Sequence, residues 1–291
     1  MRRIVLLLCA WTVWADDVTG LWKSRLIERI EGYARQMDGV LGVAFADLKT
    51  GEEWSLNGDV LFPQASAIKV PILVEVFRQR EAGQLGFGEE GVIEAGEVVG
   101  GSGVLQKRAN GGRLRVKVEE AVREMIASSD NTATNWCIRR VGMERVNRTM
   151  AEMGFPRTRL QRVMIDQAAA TRDEENISTP EEMLRLVKRI GEGKVVSEKA
   201  SAEMIGMMKL VDADFRAVIP KQVAVASKVG ELTGVRTEVG IVYLRNRPFA
   251  LAVMGTFLKE PFNPVPEVTR MVYEYFDRLD RGNRYGNLGV R

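Results

Sequence analysis

The chain has 291 residues, 45% of them hydrophobic, enough to bury one large core or two closely packed ones. Its 42 Lys and Arg nearly balance 39 Asp and Glu, and a net charge of +3 excludes the strong basic field of a nucleic-acid or anionic-membrane binder. Histidine is absent, which excludes His-assisted serine or cysteine nucleophiles and the His ligands of common zinc sites; hydrolytic chemistry would have to run on Lys, Asp, Glu, Ser or Tyr.

The first stretch reads MRRIVLLLCAWTVWADD. Arg2 and Arg3 precede an apolar run from Ile4, and Val13 and Ala15 stand three and one positions before a cut ahead of Asp16, which predicts a secretory signal over residues 1–15. The run is too short to span a bilayer, and no later stretch approaches the roughly 20 apolar residues a transmembrane helix needs. The expectation is a soluble, monomeric, exported protein, periplasmic or secreted. A lipoprotein reading at Cys9 fails because Leu8 is not small. Cleavage would lower the formal charge to +1 and remove Cys9, leaving Cys137 as a packed core thiol with no intramolecular disulfide partner.

Apolar residues at helical spacing (Leu21, Ile27, Ile30, Tyr33) predict an amphipathic helix from Val18 to Met37. The period then changes, and VLGVAFADLKTGEEWSLN reads as a β-hairpin around a glycine turn. From Ser66 to about Ile205 the pattern is helical, broken by loops such as EVVGGSGVLQ and RDEENISTP, with Pro180 starting a further helix. The basic cluster Lys107, Arg108, Arg113, Arg115 and Lys117 is glycine-rich and lacks aromatics, the composition of a solvated loop. Three β-rich runs follow (QVAVASKVG, TEVGIVYLR, PFALAVMGTF), then a helix over VPEVTRMVYEYFDRL. The predicted class is α/β (α+β): one antiparallel sheet from residues 16–60 and 206–283 flanked by helices, an all-helical lobe (61–205) inserted between them, and a loose tail at 284–291. A cleft between two such lobes is a natural place for a site.

Three short motifs carry candidate chemistry. Ser66 and Lys69, three residues apart, share a helix face and bring a hydroxyl to an amine inside an apolar segment. Ser129, Asp130 and Asn131 form a string well suited to capping a helix. Lys228, Val229 and Gly230 close a predicted strand. Each has an ordinary structural explanation alone; their joint occurrence in this order does not.

With these residues the chain resembles the class A serine β-lactamases and the related penicillin-binding D,D-peptidases, whose motifs are S-x-x-K, S-D-N and K-T-G. The resemblance covers nearly the whole mature chain, including NISTPEEM and GVRTEVGIV. It implies the serine β-lactamase/transpeptidase fold and a serine that attacks a β-lactam or a D-Ala-D-Ala-type cell-wall peptide amide, with no cofactor. It further implies Ser66 as nucleophile, Lys69 as its base or proton relay, and Ser129 as proton donor to the departing nitrogen. Asn131 would bind the substrate side-chain amide, Lys228 would supply positive potential, and the N–H groups of Ser66 and Glu231 would form the oxyanion hole. A base role requires a lowered lysine pKa, which burial near Lys228 would favour.

The sequence departs from that pattern in two places. Met164 stands where the water-activating glutamate is expected and Ala168 where its asparagine companion is, with Asp166 as the nearest substitute and a loop-tying role its more ordinary reading. Val229 replaces the hydroxyl residue that helps hold a substrate carboxylate; Thr233 and Arg236 are the candidates to take over, and Glu231 adds an unhelpful charge. Acylation keeps its groups while rapid deacylation does not. Three readings follow: a β-lactamase, a D,D-peptidase or esterase, and a non-turnover penicillin-binding protein or sensor.

Overall fold

The computed structural model describes residues 18–289, so the predicted signal and Cys9 lie outside the described residues. A five-stranded antiparallel sheet has the order β2-β1-β9-β8-β7: β1 Val40–Asp47, β2 Glu53–Leu56, β7 Ala224–Leu232, β8 Val235–Tyr243 and β9 Phe249–Thr256. The strands therefore come from both ends of the chain, as the change in periodicity predicts. Alternation sorts their side chains onto two faces. Leu41, Val43 and Phe45 of β1 and Phe249, Leu251 and Val253 of β9 face one apolar cluster, completed by α1 (Val18–Gln36), α10 (Asp214–Val218) and α11 (Val265–Arg281). There Phe276 stacks on Phe249 at a centroid distance of 4.4 Å, and each fully buried ring contributes roughly 1.5–3 kcal/mol.

The other face carries small residues, Ala44, Ala46, Ala250 and Ala252, against which α8 (Pro180–Gly191) packs. Gly42 belongs to this face for a steric reason: a Cβ there would lie 2.6 Å from the Phe62 ring and 2.7 Å from Pro180. Thr179 caps α8 by accepting from Glu182 N, with Pro180 at a position whose missing N–H is harmless. Beyond it lies the inserted lobe of α3 (Leu105–Ala109), α4 (Val118–Ala127), α5 (Asn131–Val141), α6 (Met143–Glu152), α7 (Gln167–Thr171) and α9 (Glu198–Met208) around α2 (Lys69–Glu81). Every side chain of α2 from Lys69 to Phe77 is buried. Cys137 is buried too, and burial pushes its thiol up to about 12.

The structure corrects the sequence reading at three points. The lobe is not all helical, since β3 (Phe62–Pro63) pairs with β6 (Ile177–Ser178) and β4 (Glu90–Ile93) with β5 (Leu114–Lys117). These ladders are too short for a period-2 pattern to show. Ser66 does not open the α-helix but lies in a 3₁₀ turn, Ala65–Ile68, ahead of α2. Residues after α11 also make a closed turn, with Asn283 N donating to Asn287 O and Gly286 N to Asn283 O. No helix among the described residues is long and apolar enough to cross a membrane.

A buried carboxylate fixes α2 in the lobe. Glu75 accepts from Arg78 Nε (2.7 Å), Gln79 Nε2 (2.6 Å) and Thr149 Oγ1 of α6 (2.6 Å), while Gln79 also donates to Val141 O at 2.8 Å. Burial would push its pKa up, and these bonds, led by Arg78, hold it below the ordinary value. Glu75→Ala strands the buried donors of Thr149 and Gln79, and we expect a loss of about 2–3 kcal/mol in unfolding free energy. Urea denaturation checks this; an unchanged midpoint would show that apolar packing alone holds α2.

Candidate active site

The 3₁₀ turn presents Ser66 at the edge of the sheet. Gln64 N donates to Asn176 O at 2.7 Å, and Gln64 O receives Ala67 N at 2.9 Å and Thr237 Oγ1 at 3.1 Å. Ala65 takes φ +45°, a left-handed conformation that usually costs a non-glycine residue about 1–3 kcal/mol and is kept where the surroundings enforce it. Gly230 of β7 presses on this turn: a Cβ would lie 2.4 Å from Gln64 O and 2.9 Å from Ala67 N. That close approach explains the glycine in the third motif.

Ser129 occupies the turn between α4 and α5 with φ +54°. Its Oγ receives Lys69 Nζ and Lys228 Nζ, both at 3.1 Å. Lys69 Nζ further donates to Ser129 O (2.7 Å) and Asn131 Oδ1 (3.0 Å), and Lys228 Nζ to Val229 O (2.9 Å). The three motifs thus converge on one hydroxyl. Ser66 Oγ has no hydrogen-bond partner among the described residues; the amine of Lys69 is turned to Ser129 and Asn131 instead.

Both lysines are fully buried. Burial first and the neighbouring Lys228 second push Lys69 well below an ordinary lysine, against the pull of Asp130. Burial lowers Lys228 to about 7, opposed by Glu238. Glu238 itself, a residue the sequence reading missed, is pushed up to about 8 by burial while Ser227 Oγ (2.6 Å) and Phe215 N (2.9 Å) donate to it. Its only sequence signal is an acid inside the alternating run TEVGIV.

The sequence reading also passed over the segment 99–105 as a plain loop. Asp130 binds it: Oδ2 accepts from Val104 N and Leu105 N, each at 2.7 Å, while Oδ1 caps α5 through Ala133 N at 2.7 Å. Asn131 N donates to Ser102 O, and Asn131 Nδ2 to Gly100 O. The glycines Gly101 and Gly103, at φ +84° and +116°, were the available signal.

A cavity of about 190 Å³ opens at this point, lined among others by Ser66, Ser102, Asn131, Met164, Asn176 and Glu231. Met164 is clamped by its backbone to Asn135, with Asn135 Oδ1 accepting from Met164 N at 2.7 Å and Nδ2 donating to Met164 O at 3.1 Å. Asp166 is not in this lining; it caps α7, accepting from Ala169 N at 3.0 Å, and borders an adjoining groove of about 390 Å³ with Arg162, Glu175 and Thr233. Ala168 is exposed on α7.

Thr233 and Arg236, the candidates to replace the missing hydroxyl, sit in different surroundings. Thr233 is exposed in the turn beyond β7. Arg236 is buried and engaged: Nη1 donates to Leu232 O and Val235 O, both at 2.9 Å, and Nη2 pairs with Glu260 at 2.7 Å and Glu231 at 3.1 Å. Both terminal nitrogens of the guanidinium are thus engaged.

The chain matches the sequence model of the Beta-lactamase enzyme family over residues 25–276. A β-lactamase of Rhodobacter capsulatus is 27% identical over 190 residues, spanning 64% of this chain and 62% of that relative's length. Among solved structures, a β-lactamase from Sphaerobacter thermophilus superposes with a TM-score of 0.77 at 28% identity, covering 87% of this chain and 96% of that one. A mutant of PBP-A, solved as its acyl-enzyme complex with penicillin G, superposes with a TM-score of 0.79 at 26% identity, covering 87% and 97%.

The electrostatics of the paired lysines are measurable without any substrate. In ¹³C,¹⁵N-lysine NMR titrations we expect the Lys228 amine to titrate near about 7 and Lys69 well below the ordinary value near about 10.4, apart from the exposed lysines. Removing one cation favours protonation of the other, so Lys228→Ala should shift the Lys69 midpoint upward. Lysines all titrating together near 10 would refute the burial of the pair.

Proposed function

The chain belongs to the β-lactamase enzyme family, and from that membership we propose that it is an exported serine hydrolase that opens a β-lactam or related amide through an acyl ester on Ser66. The observation that carries this reading is the Ser129 hydroxyl, held at 3.1 Å by both Lys69 and Lys228 beside the Ser66 cavity. Burial pushes Lys69 toward the free amine, the form that can serve as base in a chain without histidine.

The groups divide the work by position. Ser66 Oγ attacks the carbonyl carbon, and its proton passes to the neutral Lys69 amine. The tetrahedral oxygen faces the N–H groups of Ser66 and Glu231, donors that are each typically worth about 3 kcal/mol when aimed at developing charge. Ser129 delivers a proton to the leaving nitrogen as the C–N bond breaks, with Lys228 orienting its hydroxyl. Asn131 borders the cavity on the acyl side and keeps Lys69 in place.

Removal of the acyl group is the weak step. A water attacking the ester needs a base within hydrogen-bond reach, and the wall opposite Ser66 offers the thioether of Met164, while Asp166 faces the neighbouring groove. This favours a second reading within the same chemistry, a penicillin-binding D,D-peptidase or esterase whose β-lactam adduct persists.

Intact-protein mass spectrometry after mixing with benzylpenicillin tests both. We expect an adduct on the wild type, none on Ser66→Ala, and an acyl-enzyme lifetime at least about tenfold shorter in Met164→Glu, where a carboxylate replaces the thioether. Absence of any wild-type adduct, or an adduct surviving Ser66→Ala, would sink the acyl-enzyme reading. Turnover of a D-Ala-D-Ala depsipeptide without β-lactam turnover would select the peptidase.

A further inference from the structure

The side of the cavity along β7 holds an unusual balance of charge for an enzyme acting on anionic substrates. Val229 and Glu231 alternate onto one face of the strand, one apolar and the other acidic. The Glu231 side chain is 67% exposed and lines the Ser66 cavity. Arg236 pairs with it at 3.1 Å but shares that guanidinium with Glu260, and the other buried donors nearby hold partners of their own. Arg236 Nη1 and Nη2 contact two carbonyls and two carboxylates, Thr237 Oγ1 lies 3.1 Å from Gln64 O and 3.3 Å from Gly230 O, either of which its one proton can serve, and Lys228 is buried against Ser129 and Val229 O. Glu231 and Glu260 share one guanidinium, so these three groups together carry one negative charge in excess. The adjoining groove repeats the imbalance, Asp166 standing beside the Arg162–Glu175 pair.

We propose that Glu231 is a specificity-determining residue that disfavours acyl donors bearing a carboxylate on the leaving-group side and favours those bearing an ammonium there. The inference rests on Ser66 as nucleophile and Ser129 as proton donor, because those roles place the leaving group along β7. The acid sits at the cavity mouth, where solvent and salt screen it only in part, so its effect falls on the encounter and on the developing leaving group alike. The substrate class that fits is an ester or amide whose departing half carries an amine.

Three thioesters with one common hippuryl group test it, with thiocholine, mercaptoethanol or 3-mercaptopropionate as the leaving thiol. In each, Ser66 Oγ bonds to the acyl carbon, the C–S bond breaks, and the serine proton ends on the departing thiolate. The second-order rate of adduct formation is divided by each ester's uncatalysed hydrolysis rate to remove differences in thiol acidity. In low salt we expect the cationic ester to exceed the anionic one by about tenfold, and the ratio to shrink as salt is added. Glu231→Gln should bring it within about twofold, and Glu231→Lys should reverse it. Equal rates for the three esters in the wild type, or a ratio unmoved by both substitutions, overturn the proposal alone. No adduct with any of them overturns the acyl-enzyme reading and this proposal with it.

Discussion

Lys69 and Lys228 reach the same hydroxyl oxygen from opposite sides of the cleft, one on the buried helix α2 and the other on β7. Holding two ammonium groups out of water at such a separation is unfavourable by both desolvation and mutual repulsion, so both amines are pushed below an ordinary lysine, Lys228 to about 7. That constraint reaches outward through the molecule. It requires α2 to be buried on all sides, which the Glu75 clamp secures. It also requires Asp130 to lie near Lys69 without pairing with it, and its carboxylate is fully occupied by three backbone N–H groups.

The close approach of the two lobes follows from side-chain size. Gly230 lets β7 touch the turn that carries Ser66, and Ala44, Ala46, Ala250 and Ala252 let α8 sit low on the sheet beneath it. The aromatic and branched residues are kept on the far face, where α1 and α11 supply the thickness. One strand pattern therefore builds a deep core on one side and a precise seam on the other, and Ser66, Ser129 and Lys228 meet along that seam.

The walls of the cavity carry a different message from its floor. The floor has the lysine pair and the serines that acyl transfer needs. In the wall, Met164 supplies no base; nearby, Val229 supplies no hydroxyl, and Arg236 is tied to Glu231 and Glu260. Under the acyl-enzyme reading proposed above, such a site would capture an acyl group more readily than release one.

How much of this was legible in the sequence depended on the range of the interactions. Period-2 and period-3.6 patterns exposed β1, β7, β8, β9, α1 and α11, because burial of one face imposes them locally. The absence of histidine and the ordered Ser66/Lys69, Ser129/Asn131 and Lys228/Gly230 strings directed attention to a lysine-driven acyl transfer, and Met164 and Val229 were visible as departures. The 3₁₀ turn at Ser66, the two short ladders and the anchoring of segment 99–105 by Asp130 were not legible, since each depends on partners distant in the chain. The same limit applied to Arg236 and Asp166. By residue type either could serve a substrate, and only the tertiary structure shows the partners each already holds, because a side chain's surroundings are set by the carbonyls, amides and countercharges that folding brings to it.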